Sequence, residues 1–207
     1  MIMNINLLKQ KFNLKIDGIL HIGACYCEEL FDYINVGVPV EKIIWVEANP
    51  EIVEENLKKY KNIIIDSFVC CDTDIGTSKL NVTNNKQSSS ILDFDLHKKF
   101  YPDIKYTHQV EVINKRIDTY YKEKSFPENF ANFLNIDIQG TELLALKGMG
   151  TLLNNFQYIY IEVNRKHLYK DCALVDDIDN YLKQYKFERV LTSWTDREWG
   201  DAFYIKK

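Results

Sequence analysis

The feature that most constrains this chain is the regular alternation of short apolar runs with amphipathic segments. "INLLKQKF" reads as a short amphipathic helix, "GILHIGA" as a buried strand, and "EELFDYINVG" as a helix whose apolar residues recur at helical spacing. "EKIIWVEAN" is a second strand. In "NPEIVEENLKKY", Asn49 is placed to cap a helix and Pro50 occupies its first turn, where a missing N–H is harmless. A third strand is expected in "NIIIDSFVCC", extra short strands in "SKLNVT" and "HQVEVIN", and a helix in "RIDTYYKEK". Next come strand "NFLNIDI", helix "TELLALKGM" and strand "FQYIYIEVN". A helix in "LVDDIDNYLKQY" precedes "KFERVLTSW" and "DAFYIKK", two strands too close together to run parallel. Strands alternating with helices predict an α/β fold built on a mostly parallel sheet, closed by a C-terminal antiparallel hairpin.

A chain of 207 residues, 46% hydrophobic, fits one domain over 1–207 with a substantial core, and no repeat or linker divides it. Its net charge of -4 argues against nucleic acid and against a basic membrane-binding face, since both call for clustered Lys and Arg. A small or neutral substrate is expected instead. "MIMNINLLKQKFNLK" has neither a long apolar run nor a cleavage signature, and no segment approaches membrane-spanning length, so the expected location is cytoplasmic. The close pairs Cys25/Cys27 and Cys70/Cys71 lack the C-x-x-C spacing of a shared zinc ion. Buried reduced thiols are the expectation.

In a sheet of this kind ligands bind outside the carboxyl ends of the strands, near the reversal of strand order. Those ends fall at "HIGAC", at Glu47, near Ser67 to Asp72, at Asp137 and at Glu162. Carboxylates at three strand ends are more polar chemistry than packing requires. Glu47 follows Gly23 at close to the roughly 20-residue offset at which an acidic residue reaches ribose hydroxyls, although a solvated strand-end residue would look the same. Gly23 also suits a turn that needs an unusual backbone angle. Glycine turn, spaced Glu47 and Asn-Pro helix start together point to an adenosine-containing cofactor.

The same stretches resemble the FkbM-type methyltransferases, which use S-adenosylmethionine on the class I methyltransferase fold. "HIGACYCEE" looks like the family's glycine motif, "IIWVEANPEIVEENLKK" like its ribose-binding segment and "DTDIGTSKLNV" like its following hairpin. "QSSSIL" is similar to its serine-containing turn, "FLNIDIQGTELLALKGM" to its most distinctive stretch and "YIYIEVN" to its fifth strand. The resemblance implies a Rossmann-like, seven-stranded sheet with helices on both faces, and methyl transfer, commonly to a hydroxyl of a sugar or natural product. Implied cofactor contacts are His21, Gly23, Ala24 and Glu28 in the opening turn. Further along they are Glu47, Ala48, Ser67, Asp72, Ser89 and Asp137. Two residues depart from the pattern: His21 stands where the family has Asp, leaving the contact to the cofactor's amino group to Glu28 or Asp137, and Cys27 replaces the third glycine, where a positive φ would be strained.

Methyl transfer to an alcohol needs alignment and a base or cation. Asp137 is the first candidate base, with Glu162 and His167 as further candidates; helix capping is the structural alternative for Asp137. Glu142 suits a favourable anion in a helix's first turn. Asp137 and Glu162 also offer hard oxygen ligands of the kind magnesium takes, although two carboxylates do not establish a divalent cation. "DFDLHKKFYPDIKYTH" is long for a connection and carries aromatic and basic residues suited to a polar ring-shaped acceptor, or to packing the loop down. The expected partner is thus a small-molecule or carbohydrate acceptor. Two other classes remain open at this stage, an NAD-dependent oxidoreductase and a non-catalytic scaffold of the same fold.

Overall fold

The computed structural model describes residues 2–207. Helix α1 (Ile5–Phe12) leads into strand β1 (Ile19–Ile22), α2 (Leu30–Asn35), β2 (Ile43–Glu47), α3 (Pro50–Lys59) and β3 (Ile64–Ser67). Both N-terminal caps are side-chain made: Asn4 accepts from the Asn6 and Leu7 amides, and Asn49 accepts from the Glu51 amide with Pro50 in the first turn, as expected. The middle of the chain holds β4 (Val69–Cys70), β5 (Thr77–Thr83), α4 (His97–Phe100), β6 (Tyr106–Lys115) and α5 (Ile117–Glu123). Then come β7 (Phe133–Ile136), α6 (Glu142–Met149), β8 (Tyr158–Asn164), α7 (Val175–Lys183), β9 (Phe187–Trp194) and β10 (Trp199–Lys206).

Seven strands form one sheet in the order β3-β2-β1-β7-β8-β10-β9. The first five are parallel, and β10 runs antiparallel to both β8 and β9. Ile22 pairs with Val46 on one side and Ile136 on the other, so strand order reverses at β1 and a crevice opens beyond its carboxyl end. Alternation along the strands divides the core in two. Leu20, Ile22 and Ile161 pack with Tyr120, Leu146 and Leu182 of α5, α6 and α7. Ile19, Trp45 and Phe133 pack with Leu8, Tyr33 and Val53 of α1, α2 and α3. Helices on both faces are the result, because a sheet buried on each side needs an apolar stripe against each.

Two elements differ from the sequence expectation. "NIIIDSFVCC" is not one strand: it leaves the main sheet after Ser67, and Val69 and Cys70 pair with Asn114 and Lys115 of β6. The strands β5 and β6 are also longer than expected, seven and ten residues, and pair antiparallel in a separate three-stranded sheet ordered β4-β6-β5. Residues 84–105 connect them and pass over the crevice. All five cysteines are free.

Candidate active site

The crevice is shaped by the turn after β1. A Cβ at Gly23 would lie 1.8 Å from the Asp137 carbonyl oxygen, and Gly23 has φ +91°, so the close approach of β1 to β7 requires glycine. The Gly23 and Ala24 amides donate to the Val46 carbonyl at 2.8 and 3.0 Å. Beyond them Cys25 and Cys27 both take left-handed conformations, φ 41° and 53°, and the positive φ at Cys27 is the strain expected where it replaces the third glycine. Glu47 holds this turn. Its carboxylate accepts the Cys25 amide and the Asn49 amide, each at 2.8 Å, joining the turn to the start of α3. Burial raises its pKa while these amides act in the opposite direction.

A cavity of about 480 Å³ occupies the crevice, within the usual size range of small-molecule sites. Gly23, Ala24, Glu28, Glu47 and Ala48 line one end. Asn135, Asp137, Gln139 and Glu162 line the middle, and His97, Tyr101, Tyr169 and Trp199 the other end. Ser88, Ser89 and Ser90, from the long connection, line it as well.

Gln139 organises the middle. Its Nε2 donates to Asp137 Oδ1 at 2.6 Å and to Glu162 Oε2 at 3.0 Å, while its Oε1 accepts from the Tyr169 hydroxyl at 2.6 Å. It does so from a left-handed backbone, φ 57°. Burial, then the nearby Asp201 carboxylate, pushes Asp137 up to about 6, near where a general base works best. Burial and the Asp137 charge hold Glu162 well above the usual carboxylate range. Asp201 stands opposite Glu162 in the β8–β10 register and accepts from the Tyr160 hydroxyl. Glu142 is separate: it accepts the Ile138 amide at 3.1 Å and the Gly140 amide at 3.0 Å, the structural role favoured from sequence. Asp137 does not cap that helix, whose N-cap is Thr141 without a side-chain cap bond; Glu142 instead holds the turn that leads into it.

Several expected residues sit elsewhere. His167 is exposed after β8, with Nδ1 donating to the Cys172 carbonyl at 2.9 Å, and it does not line the cavity. Ser67 and Asp72 also lie outside its walls, because the chain turns into β4 there. The Ser67 hydroxyl donates to the Ala48 carbonyl, and exposed Asp72 offers its carbonyl to Arg116. Ser89 lines the cavity, but its hydroxyl already donates to the Lys86 carbonyl and accepts the Thr83 amide. Glu28 is exposed at the cavity edge and accepts the Tyr26 amide at 3.2 Å. His21 does line the cavity, but its ring is engaged within the core, 4.7 Å from the Trp45 ring and with Nδ1 3.0 Å from the Tyr33 hydroxyl; burial lowers its pKa to about 4, which keeps it neutral. The divalent cation is not supported: Gln139 Nε2 occupies the space between Asp137 and Glu162, and among the described residues no group of three or more His, Cys, Asp or Glu could hold a metal ion.

Gln139, Asn135 and His97 were not anticipated as site residues. Asn135 lies in β7 two residues before Asp137, which directly follows the strand, so the two side chains point to the same side of the sheet. Its Nδ2 donates to the Tyr33 hydroxyl at 2.7 Å, while its buried Oδ1 has no partner. An unpaired buried acceptor in a cavity wall fits a ligand that donates, as the ammonium of S-adenosylmethionine would.

The strand order, the reversal at β1 and the carboxylates over the crevice define a Rossmann-like fold of the class I methyltransferase type. The chain belongs to the FkbM methyltransferase family: the model of the methyltransferase FkbM domain matches residues 21–189. Among solved structures it is similar to the methyltransferase FkbM from Methylobacillus flagellatus, with TM-score 0.57 and 19% identity over 91% of this chain and 43% of that one. A S-adenosylmethionine-dependent methyltransferase from Clostridium acetobutylicum aligns with TM-score 0.55 and 8% identity, over 98% of this chain and 89% of that one. Magnesium protoporphyrin IX methyltransferase from Synechocystis, with bound S-adenosylmethionine, aligns with TM-score 0.53 and 10% identity, over 98% and 76%. These likenesses show the fold. The chain spans less than half of the Methylobacillus protein. No curated protein matches it. No helix among the described residues is long and apolar enough to cross a membrane.

Proposed function

We propose that this chain transfers a methyl group from S-adenosylmethionine to a hydroxyl of a carbohydrate acceptor. The observation that carries the reading is the acidic dyad of Asp137 and Glu162, held by one glutamine amide at the carboxyl ends of adjacent strands. S-adenosylmethionine supplies an electrophilic methyl carbon on a sulfonium. The chain's own part is to bind, align and deprotonate. Glu47, fixed by two backbone amides, keeps lone pairs for ribose hydroxyls, and the unpaired Asn135 Oδ1 accepts a hydrogen bond from the ammonium in place of the acid that His21 replaces. Asp137 receives the acceptor's hydroxyl proton, the step that a pKa of about 6 suits.

The charge of the walls supports this cofactor over NAD. Among the described residues Glu28, Glu29, Glu47, Asp137 and Glu162 line the cavity, with Lys86 as the only lysine or arginine. Such walls favour a cationic sulfonium and ammonium and oppose a pyrophosphate. Glu28 and Glu29 stand just before α2, where a dinucleotide-binding fold needs an uncharged helix start for its phosphates. The sugar acceptor rests on the polar, donor-seeking middle of the cavity and on the absence of a basic stripe from the sequence.

Calorimetry with S-adenosylmethionine and NAD tests the cofactor. Labelled S-adenosylmethionine, offered with separate pools of nucleotide sugars, oligosaccharides, RNA and protein, tests the acceptor. Tighter binding of NAD would overturn the methyltransferase reading, and label confined to RNA or protein would overturn the sugar. Cofactor binding with no label in any pool would favour a scaffold.

A further inference from the structure

The far end of the cavity holds a group that neither the proposed cofactor contacts nor the acidic dyad uses. His97, the first residue of α4, is 3% exposed and lines the cavity, and its Nδ1 has no hydrogen-bond partner. The ring stacks on Phe94 at 4.1 Å and 10°, with Tyr101 at 4.9 Å and Tyr169 at 5.3 Å. Burial lowers its pKa to about 4, so near neutrality the imidazole carries a lone pair rather than a charge. Buried polar atoms are nearly always paired, and leaving one unpaired is costly. His97 lines the cavity, and a neutral imidazole keeps one ring nitrogen as an acceptor, suited to a ligand that donates to it.

The surroundings are fixed rather than loose. The Asp95 and His97 amides donate to the Leu168 carbonyl at 2.8 and 3.1 Å, which fastens this part of the long connection to the loop after β8. Trp199 Nε1 donates to the Tyr101 hydroxyl at 2.8 Å, bracing two aromatic walls against each other. Tyr169 reaches from the same cluster to Gln139 and hence to the dyad. Aromatic walls cover the C–H faces of a ring. The Asp137 carboxylate and a neutral imidazole nitrogen both seek donors, which a polyol supplies several times over.

We propose that His97, with Tyr101 and Trp199, forms the acceptor subsite, and that its imidazole nitrogen accepts a hydrogen bond from a hydroxyl of a ring-shaped polyol other than the one methylated. This assignment builds on the methyl-transfer reading and names the residue that would select the acceptor. His97 acts here as a binding and positioning residue, with the proton of the reacting hydroxyl still going to Asp137.

The test uses the full chain, labelled with nitrogen-15 and saturated with S-adenosylhomocysteine. Methyl glycosides of glucose, galactose and mannose are added, and cyclohexanol, a six-membered ring with one hydroxyl, serves as the control. The imidazole nitrogen signals report hydrogen bonding directly, and the chain has four histidines to assign. His97→Phe identifies the signal by its loss and keeps the stack; should that variant fail to fold, His97→Gln serves for the assignment. The expected result is a shift of the unprotonated His97 nitrogen with at least one glycoside and none with cyclohexanol. Glycoside affinity should fall about tenfold or more in His97→Phe, with partial recovery in His97→Gln, while S-adenosylhomocysteine affinity stays within about twofold. An unmoved His97 signal, or undiminished glycoside binding by a folded His97→Phe, overturns the subsite and leaves methyl transfer standing. Failure of the wild-type chain to bind S-adenosylhomocysteine overturns the methyl-transfer reading and the subsite with it.

Discussion

The Glu47 carboxylate accepts the Cys25 backbone amide at 2.8 Å, across the gap between the end of β2 and the turn after β1. A residue expected to serve a ligand is therefore also a strut of the site. Glu47→Ala removes that bond and the matching one to Asn49. Stability should fall by about 1–3 kcal/mol in thermal or denaturant unfolding, as expected when a buried donor loses its partner. Calorimetry on the folded variant should show S-adenosylmethionine affinity reduced about tenfold or more. Unchanged affinity would take Glu47 out of the cofactor contacts while leaving its structural role.

Asp137→Asn separates chemistry from binding. The substitution keeps shape but removes the charge that would receive a proton. Turnover, measured with labelled S-adenosylmethionine and the acceptor pool that takes label, should fall by about 100-fold or more. Cofactor affinity should change much less. A variant with near-normal turnover would move the base to Glu162.

The same substitution carries a pH signature. Asp137 is raised from 3.8 to about 6 by burial, so the folded chain holds its proton more tightly than the unfolded chain does. The stability this confers is present below about pH 4 and is lost as pH rises through about 6. Buried His21 and His97, both lowered to about 4, change stability in the opposite sense over part of that range, so the wild-type curve alone is not diagnostic. The difference between variant and wild type cancels them. Relative to wild type, Asp137→Asn should gain stability between pH 4 and pH 7, measured by denaturant unfolding at each pH. A flat difference would mean that Asp137 titrates normally.

Much of the frame was legible because it follows from local chemistry. Asn49 and Pro50 mark a helix start in any context, and the alternating burial of Leu20, Ile22 and Ile19 follows from the two-residue period of a strand. Glu47, Asp137 and Glu162 were readable as cavity residues because strand ends are readable. What escaped depends on contacts between distant segments. The run from Ile64 to Cys70 is apolar on both sides of Asp66 and Ser67, with no glycine or proline to mark a break, and only the pairing of Val69 with Asn114 divides it. His167 follows β8 closely in sequence, yet His97 reaches the cavity because Phe94 bridges to Tyr169. Gln139 carried one signal: a Gln-Gly pair just beyond a strand end, where both residues take positive φ and the amide meets the carboxylates.

The approach of Gly23 to Asp137 sets a limit on the turn itself. With a Cβ predicted 1.8 Å from a carbonyl oxygen, Gly23→Ala cannot be accommodated without moving β1 or β7. Destabilisation of about 3 kcal/mol or more is expected in chemical unfolding, at the upper end of single-residue effects. Wild-type stability in this variant would mean that the two strand ends are farther apart than described.

Gln139→Leu tests whether the amide sets the ionisation of the dyad. Leucine has a similar size but cannot donate, so Asp137 and Glu162 would face each other without the hydrogen bonds that now favour their charged forms. The Tyr169 hydroxyl would also lose its acceptor on Gln139, keeping only the longer bond to the Ser88 carbonyl at 3.2 Å. Protonation of the dyad should then persist to higher pH, because two adjacent buried carboxylates resist carrying two charges. In a pH profile of turnover, the acid limb should move upward from about 6, with a fall in rate of about tenfold near neutrality that partly recovers in alkaline buffer. A rate reduced equally at every pH would assign Gln139 to shape alone, and an unchanged profile would place the base outside the dyad.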